Sequence, residues 1–306
     1  MTSKLRLMAL TVVALGGLAV AACGGSKESA PPPGAPSEST AAAANAGAND
    51  ELFVRNGVEV LGRSSAAFAS SDVHSFTGET KFSFQIGGQT MSETSTFASE
   101  DPDRFYMEMK LDGSEEFSLI PLGDAGTVKM LARDGTFYMN LFGSWMSFSP
   151  EELGADQAEI DKVMDSGSIF DYSSFVKDSA NVSYIGDEDV NGHSTARYKF
   201  QGTVDELVSA FSDAVGGGGS SVEEKLSTDA SNMPVTVDIW IGKDDFLPYK
   251  LAMTASANTA EGHMELTGEG TFDNYNEPVT IPEAPDDAVS MAEFFAGMFA
   301  TETAAP

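Results

Sequence analysis

The sequence predicts an α+β domain built on one antiparallel sheet. Long segments alternate apolar and polar residues with a period of two, short turns rich in Gly, Asn and Asp join them, and a few helical stretches open on helix-cap signals. The clearest segment is a hairpin over 233–254. Val235, Val237, Ile239 and Ile241 share one face, while Thr236, Asp238 and Trp240 share the other. Gly242-Lys243-Asp244-Asp245 supplies the turn, and after Pro248 the return arm places Tyr249, Leu251, Met253 and Ala255 together.

Ahead of the domain lies an export segment. Lys4 and Arg6 precede an apolar run over 7–22 that is too short and too lightly flanked for a stop-transfer helix, so residues 1–22 read as a signal peptide. The run ends Leu18-Ala19-Val20-Ala21-Ala22-Cys23-Gly24, small residues before a lone cysteine, in the manner of a bacterial lipobox. Cys23 is then the lipidated first residue of the mature chain. As the single cysteine, it leaves no disulfide and no thiol for metal or redox chemistry.

Removing residues 1–22 takes two basic residues and no acidic one, so the net charge moves from −30 to −32. Such a chain repels phosphate backbones and anionic lipid surfaces, which argues against nucleic acid as a partner and against a basic membrane patch. Attachment must come from covalent lipid, at about 0.8 kcal/mol per buried CH₂. The stretch 23–48 is Ala, Pro, Ser and Gly with almost no large apolar residue, a disordered tether with a span on the order of 25 Å. The domain proper is expected over 49–285.

Asn49-Asp50 caps an expected helix with Val54, Val58, Leu61, Ser65 and Phe68 on its packing face and Arg55, Glu59 and Arg63 outward. After Ser71-Asp72 the period switches to two, with Phe76, Gly78, Thr80, Phe82, Phe84 and Ile86 on one face of the first strand. A more polar strand over 89–98 follows, then Phe105, Met107, Met109 and Leu111 alternating with Tyr106, Glu108 and Lys110. Residues 128–132 and 137–141 flank an Arg133-Asp134-Gly135-Thr136 turn, and 145–148 adds a short strand. Ser149-Pro150-Glu151-Glu152 opens a helical excursion through Ile160, Val163 and Met164.

Strands resume at 182–185. An Asn191-Gly192 turn leads into Ala196, Tyr198 and Phe200. Thr203-Val204-Asp205-Glu206 is a capping box for a helix whose stripe is Val204, Leu207, Val208, Phe211 and Val215. That stripe is expected over the concave face of the sheet, together with Trp240 or its strand neighbours. Gly216 to Gly219 end the helix, and Met264, Leu266, Gly268, Gly270 and Phe272 mark the last long strand.

Two stretches carry a family resemblance. The run Tyr184-Ile185-Gly186-Asp187-Glu188-Asp189-Val190-Asn191-Gly192-His193-Ser194-Thr195-Ala196-Arg197-Tyr198, and the W-I-x-K-D-x-x-L-P-x-K-L order of the 233–254 hairpin, resemble the hairpins of LppX/LprG-type bacterial lipoproteins, whose fold is LolA/LolB-like. The chain departs from that pattern in its triple-acidic Asp187-Glu188-Asp189 and in Arg197, where histidine is common. Asn276-Glu277-Pro278-Val279-Thr280-Ile281 resembles the way those proteins close their sheet. With the lipobox and tether, the resemblance runs in order from Cys23 to about Ile281. It implies a strongly curved antiparallel β half-barrel with helices over its concave face, taking up lipid or glycolipid acyl chains.

Residues 286–306 fall outside the resemblance. Asp286-Asp287 is placed to cap a short amphipathic helix with Met291, Phe294, Phe295, Met298 and Phe299 on one stripe, expected to dock on the domain, as a lid at the cavity mouth or otherwise.

No catalytic constellation stands out. Asp187, Asp189, Asn191 and Gly192 match half of an EF-hand loop, but Tyr198 occupies the twelfth position, so an acidic hairpin tip is the better reading. His74, His193 and His263 are scattered, with no H-E-x-x-H, G-x-S-x-G or P-loop pattern, and no cofactor or metal is implied. The reading is non-enzymatic. It is an envelope lipoprotein, anchored on the extracytoplasmic side, that binds or carries acyl chains in an apolar cavity. Its candidate lining is Phe82, Phe84, Met107, Met109, Met130, Leu207, Phe211, Val237, Ile239, Leu251, Met253, Met264 and Leu266, with methionine suited to flexible chains. The alternative is a scaffold or protein-binding lipoprotein with a closed core.

Overall fold

The computed structural model describes residues 50–68, 70, 72–100, 104–113, 126–141, 143–149, 182–206, 232–259, 262–290 and 293–294. A helical turn over 50–55 leads to helix α1 (Gly57–Phe68). The first six strands are β1 (Ser75–Ile86), β2 (Gln89–Glu100), β3 (Arg104–Gly113), β4 (Thr127–Arg133), β5 (Thr136–Leu141) and β6 (Ser144–Phe148). The remainder are β7 (Val182–Val190), β8 (His193–Thr203), β9 (Pro234–Gly242), β10 (Pro248–Thr259), β11 (Gly262–Asp273) and β12 (Val289–Ser290).

All twelve strands join one open, curved sheet in the order β12-β6-β5-β4-β3-β2-β1-β11-β10-β9-β8-β7. β1 and β11 meet near its middle, so β2 to β6 fan out to one side and β10 to β7 to the other, with β12 added beyond β6. Tight turns force this antiparallel meander. Asp134-Gly135 and Asn191-Gly192 have positive φ at both central positions, the type I′ geometry that matches strand twist. Only β12 runs parallel to its neighbour, β6.

The period-two pattern settles which face is buried. Phe76, Phe84 and Ile86 of β1, Phe105, Met107 and Met109 of β3, Val235, Val237, Ile239 and Ile241 of β9, and Met264, Leu266 and Phe272 of β11 belong to one continuous core. α1 packs on β7 and β9 at one side of this concave face, and its last residue, Phe68, meets Phe76 edge-to-face at 5.2 Å.

Helix α1 departs from the sequence expectation in phase. Its inward residues are Val60, Leu61, Ser64 and Phe68, joined by Phe53, while Val54 is 54% exposed and Ser65 only half-buried. The helix is interrupted at Asn56, and Gly57 sits so close to Val182 and Tyr198 that a Cβ there would lie 2.8 Å and 3.1 Å from them. Phe53 nevertheless stays in phase with Val60 and Ser64, seven and eleven residues on.

Trp240 lies on the convex face, opposite Val237 and Ile239 as the alternation places it, so of the two alternatives only its strand neighbours face the concave side. Arg197 and Lys250 stack on its ring at 4.8 and 5.1 Å, and its indole N–H donates to Glu188 at 2.7 Å. Glu188 and Arg197, which lie where the chain departs from the lipoprotein pattern, are themselves paired at 2.9 Å. Hydrogen bonds from Trp240 and Arg197 hold the Glu188 carboxyl below its usual range.

The capping box at Thr203 is present, with the Thr203 N–H donating to Glu206 and the Glu206 N–H to the Thr203 hydroxyl. The helix expected beyond it, including Leu207 and Phe211, and the excursion after Ser149 lie outside the described residues. Past β11, residues 276–281 form no strand. This stretch is an irregular strap, tied to the start of β1 by the Asn276 N–H donating to the Ser75 carbonyl, and it passes Arg133, which donates to Pro282 and pairs with Glu283. Val289 and Ser290 then add to β6. Ser290 and Glu293 form a reciprocal cap there, in place of the expected Asp286-Asp287 cap.

Candidate functional site

Ladder register brings the candidate lining together. Phe82, Phe84, Met107, Met109, Met130, Val237, Ile239, Leu251, Met253, Met264 and Leu266 all point to the concave face. Cross-strand neighbours form rows perpendicular to the strands. In one row Met146, Met139, Met130 and Met107 stand side by side on β6, β5, β4 and β3, continuing through Phe97 to Gly78. Met107 and Met146 of this row are buried and Met130 and Met139 half-buried, unbranched thioethers of the kind that fill irregular gaps.

A second row crosses eight strands: Val182, Phe200, Val237, Met253, Gly268, Phe82, Glu93 and Leu111. Its centre is shallow because Gly268 has no side chain. The Phe82 ring and the Met253 side chain close over it, within 2.5 and 2.8 Å of where a Cβ would lie. Phe82, Met253 and Leu111 stay half-buried, as do Leu251 and Met130 in the neighbouring rows. Toward the start of β1 the face is closed, with Phe76, Phe97 and Phe272 in ring contact.

The one ionisable residue in the second row is Glu93. The β2 sequence looks polar, but its inward residues are Met91, Glu93, Ser95, Phe97 and Ser99. Glu93 is 3% exposed, and its Oε1 has no hydrogen-bond partner among the described residues. Burial pushes its carboxyl up to about 7. Ser95 and Thr80, its polar neighbours, are hydrogen-bonded to each other. On the concave faces of β1, β2, β3 and β11 no Lys, Arg or His shares the surface with Glu93.

The sequence reading missed Glu93. Only the inward phase of Met91 and Phe97 within that polar strand signals it. Among the described residues, no His, Cys, Asp and Glu group is placed to hold a metal ion, and no helix is long and apolar enough to cross a membrane. Cys23 lies outside the described residues.

Residues 58–293 match a family described as a family of unknown function, DUF6612. No curated protein matches the chain in sequence. Among solved structures, the chain is similar to LprF from Mycobacterium bovis, with 16% identity, 74% of this chain and 95% of that one covered, and a TM-score of 0.43. It is also similar to the Mycobacterium tuberculosis lipoprotein LppX, with 14% identity, 76% and 100% covered, and a TM-score of 0.36. A LolA superfamily protein from Nitrosomonas europaea has 7% identity, 74% and 94% covered, and a TM-score of 0.24.

Proposed function

We propose that this chain, which belongs to the DUF6612 family, is a lipid-anchored envelope protein that binds or carries the acyl chains of a lipid or glycolipid on the concave face of its sheet. The observation that carries the reading is the half-buried strip of Phe82, Met130, Leu251 and Met253. A closed core would bury such side chains fully, at roughly 1.5–3 kcal/mol each. Here Phe82 and Met253 flank Gly268, Leu251 lies beside Gly270 in the next row and Met130 lies apart on β4, while the face toward the start of β1 is packed by Phe76, Phe97 and Phe272. The lipobox and tether ahead of residue 50 hold this face near a membrane, which is where acyl chains are found.

The work is desolvation and shape, with no bond made or broken. A saturating titration with a fluorescent acyl probe tests it, using a chain that lacks residues 1–22 and carries Cys23→Ser. The described fold begins at residue 50, so this chain contains all of it. Saturable binding that Met253→Asp abolishes while the protein stays folded is the expected result. Absence of binding leaves the closed-core scaffold.

A further inference from the structure

We propose that Glu93 is the polar contact of the acyl-chain site, accepting a hydrogen bond from the hydroxyl of an uncharged amphiphile and turning away amphiphiles whose head group is a carboxylate. The inference deepens the acyl-chain reading and rests on it.

Position is the first argument. Glu93 stands between Phe82 and Leu111 in one ladder row, so anything reaching it lies along apolar surface on both sides. Its partner must therefore arrive attached to an apolar chain. A donor that came alone from water would gain nothing from Phe82, Leu111 and Met253.

Satisfaction is the second. Buried polar atoms in folded proteins have partners, and an exception calls for an explanation. Ser64 Oγ and Glu93 Oε1 are the buried side-chain oxygens left without one among the described residues. Only Glu93 belongs to the lining rows of the sheet. The Thr80 and Ser95 hydroxyls on the same face bond to each other, and neither bonds Glu93 Oε1.

The chemistry of that vacant acceptor selects its ligand. A hydroxyl supplies a donor at a small desolvation cost, whereas an ammonium would have to shed its water on an apolar face. Above about pH 7, where Glu93 is ionised, a carboxylate brings like charge against it, with no Lys, Arg or His on the concave faces of β1, β2, β3 and β11 to offset it. Acylglycerols and sugar-linked acyl chains have the required hydroxyls, and free fatty acids do not.

The test compares 1-monooleoylglycerol with oleate, which share a chain, on the Cys23→Ser chain described above and on its Glu93→Gln version at about pH 8.5. The expected result is a preference of about ten-fold or more for the glycerol ester, shrinking to within about three-fold in Glu93→Gln as oleate binding tightens. Thermal unfolding verifies that the variant folds. Should it not, the preference for 1-monooleoylglycerol over oleyl sulfate, whose charge is constant over this range, measured on the parent chain at about pH 6 and 8.5 gives the answer, because protonation neutralises Glu93 as the substitution does. Both ligands bound with a ratio that neither Glu93→Gln nor pH alters overturns this inference alone. Binding of neither overturns the acyl-chain reading, and this inference with it.

Discussion

The Tyr198 hydroxyl donates to the Phe53 carbonyl at 2.7 Å, joining β8 to the turn before the helix break across 145 residues of sequence. Both residues are fully buried, and Phe53 stacks on Phe246 at 5.2 Å. This bond fixes the N-terminal helical segment to one side of the concave face. Tyr198→Phe leaves the carbonyl buried and unpaired, so a loss of about 1–2 kcal/mol is expected in urea unfolding. A change within error would show that water takes over the contact.

Glu93 makes stability depend on pH in the sense opposite to a salt-bridged carboxylate. Its carboxyl keeps a proton in the folded state up to about 7, against 4.5 for the ordinary group. Between those values the unfolded state binds fewer protons, so stability falls as pH rises from about 4.5 to about 7 and then levels off. The full effect is roughly 3 kcal/mol. Glu93→Gln should therefore gain stability relative to the parent by about that amount at pH 8 and little at pH 4.5, read from urea midpoints. A gain independent of pH would mean that Glu93 titrates normally.

Gly268 sets the depth of the strip. A methyl group there would sit within 2.5 Å of the Phe82 ring and 2.8 Å of Met253. Gly268→Ala should cost about 1–3 kcal/mol and weaken acyl-probe binding by spreading those two side chains. Weakened stability with unchanged binding would place the ligand elsewhere.

Much of this architecture is legible because strands with one buried face must alternate. The inward sets around Phe82, Met107, Ile239 and Leu266 follow directly, as do the Asp134-Gly135 and Asn191-Gly192 turns. What stayed hidden depends on long-range contacts. The phase of α1 depends on its seat on β7 and β9, and the partners of Trp240, namely Glu188, Arg197 and Lys250, are gathered from three strands. Glu93 was hidden for a different reason. Its strand mixes Ser and Glu with Met and Phe on the inward face, which blurs the very pattern used to tell inside from outside.

Attachment is expected to rest on Cys23 alone. The charge of −32 left once residues 1–22 are removed is of the wrong sign for anionic lipid, so Cys23→Ser should move the protein from the membrane to the soluble fraction. Continued sedimentation of that variant with membranes would point to a second anchor.

The most direct test of the acyl-chain reading is native mass spectrometry of the Cys23→Ser chain, exported behind a cleavable signal peptide and purified without detergent from the extracytoplasmic soluble fraction. The reading predicts adducts whose masses correspond to hydroxyl-bearing acylated amphiphiles, present in the parent and lost in Met253→Asp. A folded protein that flies free of any adduct, or that keeps the same adducts in Met253→Asp, would contradict it.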